Sequence, residues 1–173
     1  MNTKRLTQIA MIAAVYIAVS LALAPFSFGN IQVRIAEALT LLPLIYKDGI
    51  WGVTLGCFLT NLIGVMTGVN PTGMLDSVIG TFATFGAAVC TYYFRDRKVH
   101  GVPVLSILMP VVFNMVIVGI ELGVMLFPDN VVTGSIICGL EVAAGELISV
   151  IIGWFLIKAL EKTEIFRRHA FAQ

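Results

Sequence analysis

Glu121, Glu141 and Glu146 are acids set inside two long apolar stretches, and Glu37 and Asp76 stand where two others begin. An ionised carboxylate at bilayer depth costs about 2.5–3.5 kcal/mol on insertion scales, so such a residue normally serves a cavity. Carboxylates accept paired, charge-assisted hydrogen bonds from amidine-like edges. The chemistry on offer is therefore capture of a small solute that is cationic or rich in N–H donors. Asn114, seven residues before Glu121, shares its helical face and can both donate and accept. No nucleophile–base pair, His/Cys/carboxylate cluster or Walker A pattern accompanies these acids. The expectation is a chain with no catalytic residue, no metal and no cofactor or ATP site of its own. Cys57, Cys90 and Cys138 lack metal or redox spacing and read as small core residues.

The elements that must position these groups follow from composition. Of 173 residues 58% are hydrophobic and 12% charged, far from the soluble range. One transmembrane domain over 1–173 is expected, with nothing that points to nucleic acid. Apolar segments run over 6–24, 36–47, 50–68, 74–95, 102–127 and 132–160. The first resembles a signal peptide, with Lys4-Arg5 before it and Ala22-Leu23-Ala24 at its end, but its length and Pro25 argue for a retained helix. Five segments are long enough to cross about 30 Å of hydrocarbon. The second contains Pro43 and is too short by that rule. Charge parity restores it: with six spans, Lys4, Arg5, Lys47, Arg95, Arg97, Lys98, Lys158, Lys162, Arg167 and Arg168 all fall inside, and only Arg34 outside. The expected fold is an all-α membrane protein of six transmembrane helices in one bundle, both termini cytoplasmic. The short second helix would be tilted or sheltered by its neighbours, with 25–34 an ordered outer loop.

At 1.5 Å per residue, Glu121 lies about 9 Å below the outer end of its helix and Glu141 about 13 Å, with Glu146 near the midplane. Glu141 and Glu146 are about 140° apart around one helix, so both cannot face one pocket; Glu146, on the side of Ser149, is favoured. Glu37 and Asp76 lie in first turns near the outer surface, where helix capping competes with a place on a binding rim. Asn70-Pro71-Thr72-Gly73 is a turn signal that makes the adjoining outer loop a defined lid. Asn61 reads as interhelical glue, and Phe28, Phe82, Phe85 and Phe127 as either a stacking wall or ordinary apolar surface. Ala10, Ala14, Ala18 and Ala22 form a smooth stripe that either packs inside the bundle or docks a partner protein.

The segment Phe28-Gly-Asn-Ile-Gln-Val-Arg-Ile-Ala-Glu-Ala-Leu-Thr-Leu-Leu-Pro43 resembles the opening motif of the QueT family. Asn70-Pro-Thr-Gly…Asp76, Gly80-Thr81, Asn114…Glu121 and Gly145-Glu146-Leu147 are similar to that family's pattern. QueT proteins are substrate-binding S components of energy-coupling factor (ECF) transporters. The resemblance implies a transmembrane scaffold subunit (EcfT) and two cytoplasmic ATPase subunits as partners, the ATPases supplying the use of ATP. It implies a queuosine precursor as ligand, the deazaguanine preQ1 or its nitrile relative preQ0, and docking through the alanine stripe of helix 1. Glu121 and Glu146 would then hold the purine-like edge and the amine, beside Asn114. Glu37, Asn70 and Asp76 would complete or gate the rim, with Arg34, the lone outer base, among them. An S component for another vitamin or nucleobase, and a small proton-coupled cation exporter, are the competing expectations.

Overall fold

Hydrocarbon offers no partner to a backbone N–H or C=O, so long apolar runs wind into helices that satisfy themselves. The computed structural model describes residues 3–24, 34–70 and 72–163; among these it holds six helices and no strand. Helix 1 covers Thr3–Ala22, helix 2 Ile35–Leu44, helix 3 Gly49–Met66, helix 4 Met74–Phe94, helix 5 Val104–Leu126 and helix 6 Val131–Glu161. All but helix 2 are long and apolar enough to cross a membrane. Residues 25–33 of the expected outer loop, together with Pro71, Arg167 and Arg168, lie outside the described residues.

Helix 2 is the element the sequence read least well. It is a 3₁₀ helix, three residues shorter at its inner end than expected and carrying Pro43 inside it. Ten residues of 3₁₀ helix reach about 20 Å, against about 15 Å for the same residues wound as α-helix. The tighter coil thus lengthens a short segment. It is also sheltered: helix 2 packs against every one of the other five helices, with Glu37, Thr40 and Leu41 fully buried. The remaining helices pack in sequence, 1 on 3, 3 on 4, 4 on 5 and 5 on 6.

Close approach of helices in a bilayer depends on small residues, because burial from lipid gives no hydrophobic drive. Gly52 and Gly56 of helix 3 receive Ile12 and Tyr16 of helix 1; a Cβ on either glycine would stand 2.7 Å from those side chains. Helices 5 and 6 meet at Gly119 and Gly139, where a Cβ on Gly119 would lie 2.6 Å from the Gly139 Cα. Gly123 meets Ser135 in the same register, which sets Asn114 opposite Ala144 and Glu146 opposite Val112. Asn114 and Glu146 therefore differ in depth by only about 3 Å. Three apolar clusters fill the bundle: Tyr16, Val53 and Ala88 among helices 1 to 4, Leu41, Val111 and Val150 among helices 2, 5 and 6, and Ala83, Val118 and Val142 among helices 4 to 6. Outward-facing positions are apolar too, as Phe82, Phe155 and Ile136 illustrate, which suits a surface solvated by lipid.

Candidate functional site

All six helices contribute to one buried polar cluster. Helix 2 begins after Arg34, whose side chain is buried and whose Nη2 donates to both Asp76 oxygens, at 3.1 and 3.0 Å. Asn70 Nδ2 donates to Asp76 Oδ2 at 3.0 Å, and Asn61 Nδ2 donates to the Asp76 carbonyl at 3.2 Å. Asn61 is thus the interhelical tie that its place in helix 3 suggested. The Asp76 side chain does not cap helix 4; its carboxylate is taken up by Arg34 and Asn70, which corrects the capping alternative. Gly80, one turn on, leaves the room this needs: a Cβ there would stand 2.7 Å from Asp76 Oδ1. Asn70 Oδ1 also accepts from the Thr72 N–H and hydroxyl, at 3.1 and 2.5 Å, which fixes the expected turn.

Glu37 is deeper than its first-turn position suggested. Its Oε1 accepts from the Tyr16 hydroxyl at 2.5 Å and from Thr84 Oγ1 at 2.9 Å. Thr84 is at the centre of helix 4, so Glu37 sits at mid-depth and not at the outer surface. Tyr16 and Thr84 were missed by sequence reasoning. The signal for Tyr16 was there, since a tyrosine in mid-helix brings a hydroxyl that needs a partner. Helix 6 joins through Ser149, whose Oγ donates to the Arg34 carbonyl at 3.0 Å.

The third part of the cluster has no such partners. Both Glu121 oxygens, both polar atoms of the Asn114 amide and Glu146 Oε2 are buried without a hydrogen bond among the described residues, as are Glu37 Oε2 and Ser77 Oγ. Arg34 lies within electrostatic range of Glu37, Glu121 and Glu146, Glu146 within range of Glu37, and Glu121 within range of Asp76. One guanidinium thus pairs with Asp76 and lies within electrostatic range of three further carboxylates. Glu37, Asp76, Asn114 and Glu146 are at most 1% exposed and Glu121 is 4% exposed, so the cluster is sealed.

The remaining expected residues divide cleanly. Glu141 is exposed, beside Ile137 and Leu140 on the outer face of helix 6, whereas Glu146 is buried. Ala10, Ala14, Ala18 and Ala22 are all exposed, because helix 1 turns Ile9, Ala13, Tyr16 and Ser20 inward. The stripe therefore does not pack inside the bundle. Phe82 is exposed, Phe85 packs near Trp51 with ring centroids 5.8 Å apart, Phe127 covers Gly134, and Phe28 lies outside the described residues.

A family model described as QueT transporter matches residues 6–162. No curated protein and no solved structure matches the chain.

Proposed function

We propose that this chain, which belongs to the QueT transporter family, is the substrate-binding S component of an ATP-driven ECF importer. Its ligand is a cationic deazaguanine of the preQ1 type, taken from outside the cytoplasmic membrane. The observation that carries this reading is the set of buried, unpartnered polar atoms on Glu121, Glu146 and Asn114, with one guanidinium in electrostatic range of both acids. Native proteins rarely leave buried polar atoms unpaired, so a group that does so is poised for something absent. A guanine-like edge supplies adjacent N–H donors for one carboxylate, and an aminomethyl cation supplies charge for another. The excess of acid favours preQ1 over the neutral nitrile preQ0.

Both termini are cytoplasmic in this reading, and helix 2 completes the sixth crossing. Energy comes from two ATPase subunits through the scaffold subunit EcfT, against which the exposed alanine stripe docks. A face of small side chains gives close helix contact with little loss of side-chain entropy.

Titration of the purified protein with preQ1, preQ0 and riboflavin tests the ligand. Binding in the order preQ1, then preQ0, with none of riboflavin, is expected. Tight binding of another vitamin without preQ1 would replace the substrate. Transport driven by a pH gradient in vesicles holding this chain alone would replace the importer reading with the exporter.

A further inference from the structure

The end of the bundle away from Asp76 holds a cavity of about 110 Å³ that the transport reading does not use. It lies between the end of helix 2, the turn joining helices 4 and 5, and the last turns of helix 6. Arg95, Lys98 and Lys158 line it, together with the apolar side chains of Leu44, Pro103 and Trp154.

The cations are held in place by more than solvent. Arg95 Nη1 donates to the Tyr92 carbonyl at 2.9 Å, and its guanidinium lies 3.9 Å from the Tyr92 ring centre. Lys158 Nζ lies 4.5 Å from the Trp154 ring centre. Lys98 is set by a tight turn, in which Val99 and Val102 exchange both backbone hydrogen bonds at 2.9 and 3.0 Å. His100 and Gly101 take the positive φ values, 50° and 83°, that this reversal requires. Two acids also line the cavity, but loosely. Asp96 is 3.7 Å from Arg95 and 82% exposed, and Glu161 pairs with Lys158 where both are nearly half exposed. Such solvent-exposed pairs contribute little and exchange readily. Lys98 has no ion-pair partner among the described residues.

Basic side chains beside apolar ones, next to the aromatic residues Trp154, Tyr92 and Tyr93, match the boundary between headgroups and acyl chains. We propose that this cavity binds the phosphate headgroup of an anionic phospholipid, its glycerol end resting on Trp154 and Pro103. Free phosphate shares the charge chemistry but makes no use of Trp154 and Pro103.

The chain has two tryptophans, so Trp51→Phe leaves Trp154 as the sole reporter. The full-length variant is placed in phosphatidylcholine bilayers containing a few mole per cent of brominated phosphatidylglycerol, and Trp154 quenching is followed. Quenching that saturates at low mole fraction, and that brominated phosphatidylcholine needs at least fivefold more lipid to match, is expected. Lys98→Gln with Lys158→Gln should abolish that preference, and Lys98→Arg with Lys158→Arg should keep it; the arginine pair guards against misfolding of the glutamine pair. Equal quenching by the two lipids, or a preference that survives the glutamine pair, would overturn the proposal. Competition by millimolar inorganic phosphate would reassign the cavity to the free ion. If the glutamine pair instead costs co-purification with partner subunits, and no lipid preference exists, the cavity is a protein interface and the lipid assignment falls.

Discussion

The acids on the helix 2–4 side of the buried cluster are held, and Glu121, Asn114 and Glu146 on helices 5 and 6 are not. Asp76 has Arg34, Asn70 and Asn61 around it, and Glu37 has Tyr16 and Thr84. Glu121, Asn114 and Glu146 lie at comparable burial with acceptors that meet nothing. Burial is the same, so the difference is in pairing. A buried charge that is paired organises its neighbours, whereas one that is unpaired costs stability until a ligand arrives. The division is incomplete at Glu37 Oε2 and Ser77 Oγ, which are also unpartnered and mark where the held side opens toward the other.

The comparison can be broken most severely on its held side. Asp76→Ala strands Arg34 in the interior and should cost about 3–5 kcal/mol of stability, read as a lowered thermal midpoint in detergent. Arg34→Met combined with Asp76→Leu should recover most of that loss. On the open side the order reverses: Glu121→Gln and Glu146→Gln should each weaken preQ1 binding about 10–100-fold, the scale of a hydrogen bond to a charged group. Their thermal midpoints should hold or rise, since each removes an unpaired buried acid. A fall in midpoint with normal binding would put these acids on the structural side. Tyr16→Phe should cost about 1 kcal/mol, because Thr84 still donates to Glu37, and should leave ligand affinity within a factor of a few. Smallest for the isolated chain is Ala14→Leu with Ala18→Leu. Midpoint and ligand affinity should not move, while co-purification with the scaffold subunit is lost.

Five helices were legible in the sequence because hydropathy over 18 or more residues reports a solvent, and the bilayer is that solvent. Their observed ends fall within three residues of those expected. The acids were legible for the same reason, as exceptions to an apolar rule. The five-residue spacing of Glu141 and Glu146 correctly forbade a shared face, and the structure turns one out and one in. What was not legible depends on contacts between distant segments. Arg34 read as a lone outer base and Asp76 as either a helix cap or a rim residue, though they are partners 42 residues apart. Helix 2 gave no sign of 3₁₀ winding, since that coil is selected by five neighbouring helices and not by local propensity. Glu37 was misplaced in depth as a consequence. The alanine stripe was visible, but its direction was not, because spacing names a face without saying which way it turns.

Helix 2 also fixes an order of assembly. A ten-residue segment with Glu37 and Pro43 is a poor candidate for insertion on its own. Its shelter comes partly from helix 6, synthesised well after it, where Gly153 receives Ala38 and Ser149 bonds the Arg34 carbonyl. The second element of the chain thus gains its full shelter only after the sixth has emerged. Until then, the machinery that threads the protein into the membrane must hold four long helices around a gap.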